Sequence, residues 1–114
     1  MAASSTPLER LISVSQLLRN VSPQFRLTQL EALLTVATCP GITGAELADR
    51  CGLTRSGISR FVDTFSSSGR RDGRGVGALD LVEANEDIGD DRLRPLNLTT
   101  RGERLISVLS DLIQ

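Results

Sequence analysis

Two helix starts and one helix stop crowd into the stretch from Thr43 to Phe65, TGAELADRCGLTRSGISRFVDTF, and leave the chain few options there. Thr43 with Glu46 three residues on forms a capping box, in which the hydroxyl accepts a first-turn N–H and the carboxylate reaches back to the cap. Leu47, Ala48 and Cys51 recur at the spacing that places them on one helical face. Gly52 follows, the residue type that best tolerates the left-handed conformation ending a helix, and Leu53 can then turn into the core. Thr54 supplies a second N-cap, after which Ile58, Phe61, Val62 and Phe65 keep the i, i+3, i+4, i+7 spacing of a buried stripe. The pattern predicts two short helices joined by a tight turn.

What the second helix leaves outside is Thr54, Arg55, Ser56, Ser59 and Arg60, with Gly57 keeping the surface low. Short hydroxyls near a helix N-terminus hold phosphate oxygens, and arginine can donate two parallel bonds to guanine in the major groove. These five residues are candidate DNA contacts on the recognition helix of a helix-turn-helix. The plain alternative is a solvated polar face, which any pair of helices around a glycine turn would also show.

With 114 residues the chain is long enough for one core and too short for two independent ones. Its apolar fraction of 39% is aliphatic, with three Phe and no Trp or Tyr, so stacking on single-stranded bases has little to work with and duplex is the expected nucleic acid. The net charge of −1 is not that of a non-specific nucleic-acid binder, so DNA affinity must come from a local patch. All thirteen positive charges are arginine, the better bidentate donor, although GC-rich coding alone would account for this. The absence of histidine removes the commonest general base and metal ligand together, and no enzymatic activity, metal or cofactor is expected. The N-terminus, MAASSTP, has neither a charged n-region nor an apolar h-region, and no apolar run is long enough to span a bilayer. The expected location is cytoplasmic, away from membranes, with Cys39 and Cys51 reduced.

In chain order, Thr6, Pro7 and Glu9 open a first helix that carries Leu8, Leu11, Ile12, Val14, Leu17, Leu18 and Val21, a stripe wider than one packing face needs. Ser22 and Pro23 end it. A second capping box from Leu27, Thr28 and Glu31 opens a helix expected to bury Leu30, Leu33, Leu34 and Ala37, and Cys39, Pro40 and Gly41 stop it. Ile42 can form a short strand pairing with a later hairpin. Ser66 to Gly77 reads as a serine- and glycine-rich loop whose Arg70, Arg71 and Arg74 can reach phosphates. Leu79, Leu81 and Val82, then Leu96 and Leu98, read as two strands of a hairpin turning through Asn85, Gly89 and Asp90. Pro95 marks the second of these as an edge strand. Thr100 and Glu103 then cap a last helix with Leu105, Ile106, Val108, Leu109, Leu112 and Ile113. The expected fold is mainly α with a small β-hairpin (α+β), a winged helix-turn-helix over 1–114. Its terminal helices, 7–21 and 100–114, are expected to pair two copies into a homodimer.

The run DDRLRPLNLTTRGERL resembles the MarR family of bacterial transcription regulators: Asp90, one residue, Arg92, then Leu98, Thr99 and Gly102 opening the next helix. Thr54, Ser56, Ile58, Ser59, Arg60, Val62 and Asp63 also follow that family's recognition-helix order, and the resemblance covers roughly residues 27–106. It implies a winged helix-turn-helix homodimer on double-stranded DNA. Arg92 would sit in or beside the minor groove, Asp90 would support its guanidinium, and an unidentified small molecule would act as effector. The resemblance leaves the effector's chemistry open.

From Thr54 to Gly75 five arginines face two aspartates, a net of +3 beside the recognition helix, which favours a sequence-specific DNA-binding regulator, in the simplest case a repressor. The hairpin is the counterweight: Asp80, Glu83, Glu86, Asp87, Asp90 and Asp91 precede Arg92 and would repel phosphate. That charge suits a second function, a protein-contact module meeting transcription or replication machinery through its acidic hairpin. Cys39 and Cys51 could sense redox state, but both positions read more simply as small core or near-core residues.

Overall fold

The computed structural model describes residues 6–23, 25–66, 79–84 and 94–114. Among these the chain runs α1 (Pro7–Val21), α2 (Leu27–Thr38), β1 (Ile42–Thr43), α3 (Gly44–Cys51), α4 (Arg55–Phe65), β2 (Val82–Ala84), β3 (Pro95–Leu98) and α5 (Thr100–Ile113). The fold is mainly helical with a small three-stranded antiparallel sheet, an α+β arrangement. No described helix is long and apolar enough to cross a membrane.

Local chemistry sets most of the helix ends. The Thr6 hydroxyl accepts from the Glu9 N–H while the Glu9 carboxylate takes the Thr6 N–H, and Pro7 stands at the first helical position. Thr43 and Glu46 make the same reciprocal pair at the start of α3. Gly52 ends α3 at φ +68°, where a side chain would be strained, and the Leu53 N–H closes back on the Ala48 carbonyl at 2.9 Å. Thr54 then caps α4 by accepting from the Gly57 N–H.

Two caps lie elsewhere than the sequence pattern suggests. α2 begins at Leu27, with Arg26 as N-cap, so Thr28 is already helical and Thr28 with Glu31 makes no capping box. The Gln29 side chain accepts the Arg26 N–H at 2.9 Å, half of a reciprocal box, since a guanidinium has no acceptor to complete it. α5 is capped by Thr99, one residue before Thr100. The reason is that the Thr99 hydroxyl performs two tasks at once, accepting from the Gly102 N–H at 3.0 Å and donating to the Asp80 carbonyl at 2.7 Å.

The strand order β1–β3–β2 makes β3 the central strand, not the edge strand that Pro95 suggested. Ile42 pairs with Leu96 and Thr43 with Pro95 on one side, while Val82, Glu83 and Ala84 pair with Leu98, Asn97 and Leu96 on the other. Proline is tolerated because it is the first residue of β3, where its missing N–H costs little of the ladder. The strand expected around Leu79 to Val82 begins at Val82, with Leu81 buried just before it. The turn residues Asn85, Gly89 and Asp90 lie outside the described residues.

The core brings together Leu33, Val36, Leu47, Ile58, Phe65, Leu81, Val82 and Leu96, all fully buried. Each such side chain contributes about 1.5–3 kcal/mol relative to exposure. Phe65 is central: its ring stacks on Phe61 at 4.6 Å and meets Phe25 edge-on at 5.4 Å, so all three phenylalanines form one cluster. α2 is turned from the expected face: Leu33 is buried as expected and Ala32 and Val36 are buried beside it, whereas Leu34 is 41% exposed and Leu30 and Ala37 are half-buried. α1 lies against α5, and Leu18 is its one buried residue. Leu8, Leu11 and Ile12 of α1 and Val108 and Ile113 of α5 remain exposed.

Candidate nucleic-acid interface

The buried stripe of α4, Ile58, Phe61, Val62 and Phe65, locks that helix onto the core and decides which way its other face looks. Thr54, Arg55, Ser56, Ser59, Arg60 and Asp63 line an open depression of about 650 Å³ on that face. Thr54, Arg55, Ser56 and Arg60 are exposed, and Ser59 is half-buried. The structure thus brings together the five candidate contacts of the recognition-helix stretch.

The hydroxyls are partly committed. Thr54 Oγ1 already accepts the Gly57 N–H and lies 3.1 Å from Ser56 Oγ, where either hydroxyl can donate to the other. Whichever donates, the proton of the other remains for an acceptor outside, so the pair offers one O–H rather than two. Asp63 brings an acceptor-only group to the depression, suited to a base-edge donor such as the cytosine amine and unsuited to phosphate. Arg55 and Arg60 offer the opposite, donors alone. The face can therefore hold anionic backbone and read donors and acceptors on base edges.

The opposite end of α4 is fastened by backbone. Leu79 N–H donates to the Thr64 carbonyl and Leu81 N–H to the Phe65 carbonyl, both at 2.8 Å, and Ser66 bridges to Val82 in parallel. The chain leaves α4 at Ser66 and is back beside it at Leu79. Arg70, Arg71 and Arg74, and likewise Asp90 and Arg92, lie outside the described residues.

Sequence reasoning missed the start of α2. Arg26, Thr28 and Gln29 line a cleft of about 80 Å³ together with Leu53, Gly57, Arg60 and Phe61. Arg60 lines both this cleft and the depression, so the two adjoin at that side chain. The available signal was a basic residue three positions before a glutamine at a helix start, a weaker cue than threonine and glutamate.

Both cysteines pack against the core as half-buried residues. Cys51 Sγ lies 3.6 Å from the Thr35 hydroxyl, and Cys39 Sγ receives Arg50 Nη1 at 3.3 Å beside a surface recess of about 330 Å³. Neither lies on the α4 depression.

Comparison with family models, with curated proteins and with solved structures finds no match to this chain.

Proposed function

We propose that this chain is a winged helix-turn-helix of the MarR type. In this reading it binds double-stranded DNA sequence-specifically as a homodimer in the cytoplasm and regulates transcription, in the simplest case by occupying a promoter. It is a binding protein rather than an enzyme. The observation that carries this is the outward face of α4, where Arg55, Arg60, Thr54, Ser56 and Ser59 share one open depression on a helix anchored by four buried apolar residues. A helix presented in this way fits a major groove about 12 Å wide, with residues of its first turns toward the base edges. The turn through Gly52 and the cap at Thr54 place those residues at the start of α4, as such a reader requires.

The dimer rests on a separate observation. Leu8, Leu11 and Ile12 on α1 and Val108 and Ile113 on α5 leave apolar surface outside on two helices that already touch, and a second copy would cover it. A two-fold pair also presents two α4 helices to two half-sites about one helical turn apart.

Capture of genomic fragments on the purified protein, followed by sequencing, tests the reading. The expected result is enrichment of a motif with two inverted halves. Retention of no fragments, or of fragments sharing no motif, overturns it.

A further inference from the structure

The cleft at the start of α2 has a chemistry that the α4 face alone does not explain. Two arginines from different elements, Arg26 just before α2 and Arg60 on the second turn of α4, line it together. Among the described residues no carboxylate lines it and no ion pair neutralises either guanidinium. The one amide oxygen present, Gln29 Oε1, is already engaged by the Arg26 N–H, which leaves the Gln29 amide NH2 as a donor. Thr28 adds an exposed hydroxyl, and Leu53 and Phe61 supply apolar wall. What is left for a ligand is therefore dominated by donors and by two positive charges, the complement of an anion.

Arg60 lines both this cleft and the α4 depression, so an anion held here lies at the border of whatever occupies the depression. We propose that Arg26 and Arg60 form a clamp for one backbone phosphate of the bound duplex, flanking the groove that α4 enters; this rests on the duplex-binding reading above. Arg26 is a positioning residue, fixing the register of α4 on the DNA without reading a base. Arg60 has two directions to serve, the phosphate on one side and the groove on the other. The pair holds α4 at a set distance along the strand.

Binding of the full chain to two labelled duplexes, the motif recovered by genomic capture and a random sequence, is measured across a salt series. Arg26→Ala is expected to weaken both by the same factor and to make the slope of log affinity against log salt shallower by about 0.9, the loss of one phosphate contact. Arg26→Lys keeps the charge and is expected to keep the slope. A thermal midpoint equal to wild type shows that the effect is not unfolding. An unchanged slope in Arg26→Ala, or a loss confined to the recovered motif, overturns the clamp while leaving duplex binding intact. Wild-type protein that binds neither duplex overturns both.

Discussion

Gly102 lies directly under the carbonyl of Leu81, so close that a Cβ on Gly102 would be driven into that oxygen. Leu81 is buried and its carbonyl already accepts the Thr99 N–H at 3.0 Å, so the oxygen has nowhere to retreat. Glycine is required there for room. Gly102→Ala is expected to destabilise the protein by about 1–3 kcal/mol, the range for overpacking a closed site. Urea unfolding checks it, and a midpoint equal to wild type would show that the approach relaxes freely.

The placement of the α5 cap makes a paired prediction. Thr99→Ala removes the hydroxyl that accepts from Gly102 and donates to Asp80, and is expected to cost about 1–2 kcal/mol. Thr100→Ala, at an exposed first helical position, is expected to stay within about 0.5 kcal/mol of wild type. Equal effects in the same denaturation series would contradict the assignment of Thr99 as the cap.

Base reading is expected to concentrate on α4. Ser59→Ala should lose roughly 1–3 kcal/mol on the recovered motif and relax base preference at the positions touched, with little loss on random duplex. Arg60→Ala, which removes a phosphate contact as well as a base contact, should weaken binding to both duplexes and relax base preference. Arg92→Ala should lower affinity with a milder effect on sequence choice, as a minor-groove side chain would. Quantitative binding to a library of single-base variants separates the two patterns. Tolerance of both α4 substitutions, with loss of cellular function on charge reversal at Glu86, Asp87 and Asp91, would favour the protein-contact reading.

Association is expected to fail when the exposed apolar surface of α1 is charged. Leu8→Glu with Ile12→Glu should convert the dimer to monomer in sedimentation at micromolar concentration while leaving the fold intact by circular dichroism, because neither side chain is buried in the single chain. A wild-type protein that sediments only as monomer would remove the dimer from the proposal.

The elements readable in advance are those that local chemistry specifies alone. Thr6 with Glu9, Thr43 with Glu46, and Gly52 with Thr54 are pairs within a few residues of one another, and each stands in the structure as the sequence implies. The misreadings share another origin, competition between equivalent local options. α2 carries apolar residues around most of its circumference, so Leu30, Leu34 and Ala37 compete with Ala32 and Val36 for the side that Leu33 occupies as expected, and tertiary packing makes the choice. Thr99 and Thr100 are the same residue type side by side, and only the distant Asp80 carbonyl distinguishes them. Pro95 reads as an edge residue because β1, whose pairing makes β3 central, has just two residues and almost no sequence signal. For the site, the α4 face was legible because its polar residues alternate with a buried stripe. The contribution of Arg26 was not, since it depends on how α2 and α4 are brought together.

The main chain of one residue joins the two halves of the molecule's proposed work. Leu81 donates its N–H to the Phe65 carbonyl at the end of α4 and accepts at its own carbonyl from the Thr99 N–H at the start of α5. Both bonds are main-chain, so no substitution at Leu81 short of proline can delete either directly. In a dimer assembled through the terminal helices, a displacement of α5 would reach α4 through two successive peptide planes hinged at the Leu81 Cα. The separation of the two reading helices, and with it the operator spacing the protein accepts, would then follow the packing of α1 and α5. In that reading, adjusting the spacing would call for changes in the packing of α1 and α5 rather than in α4.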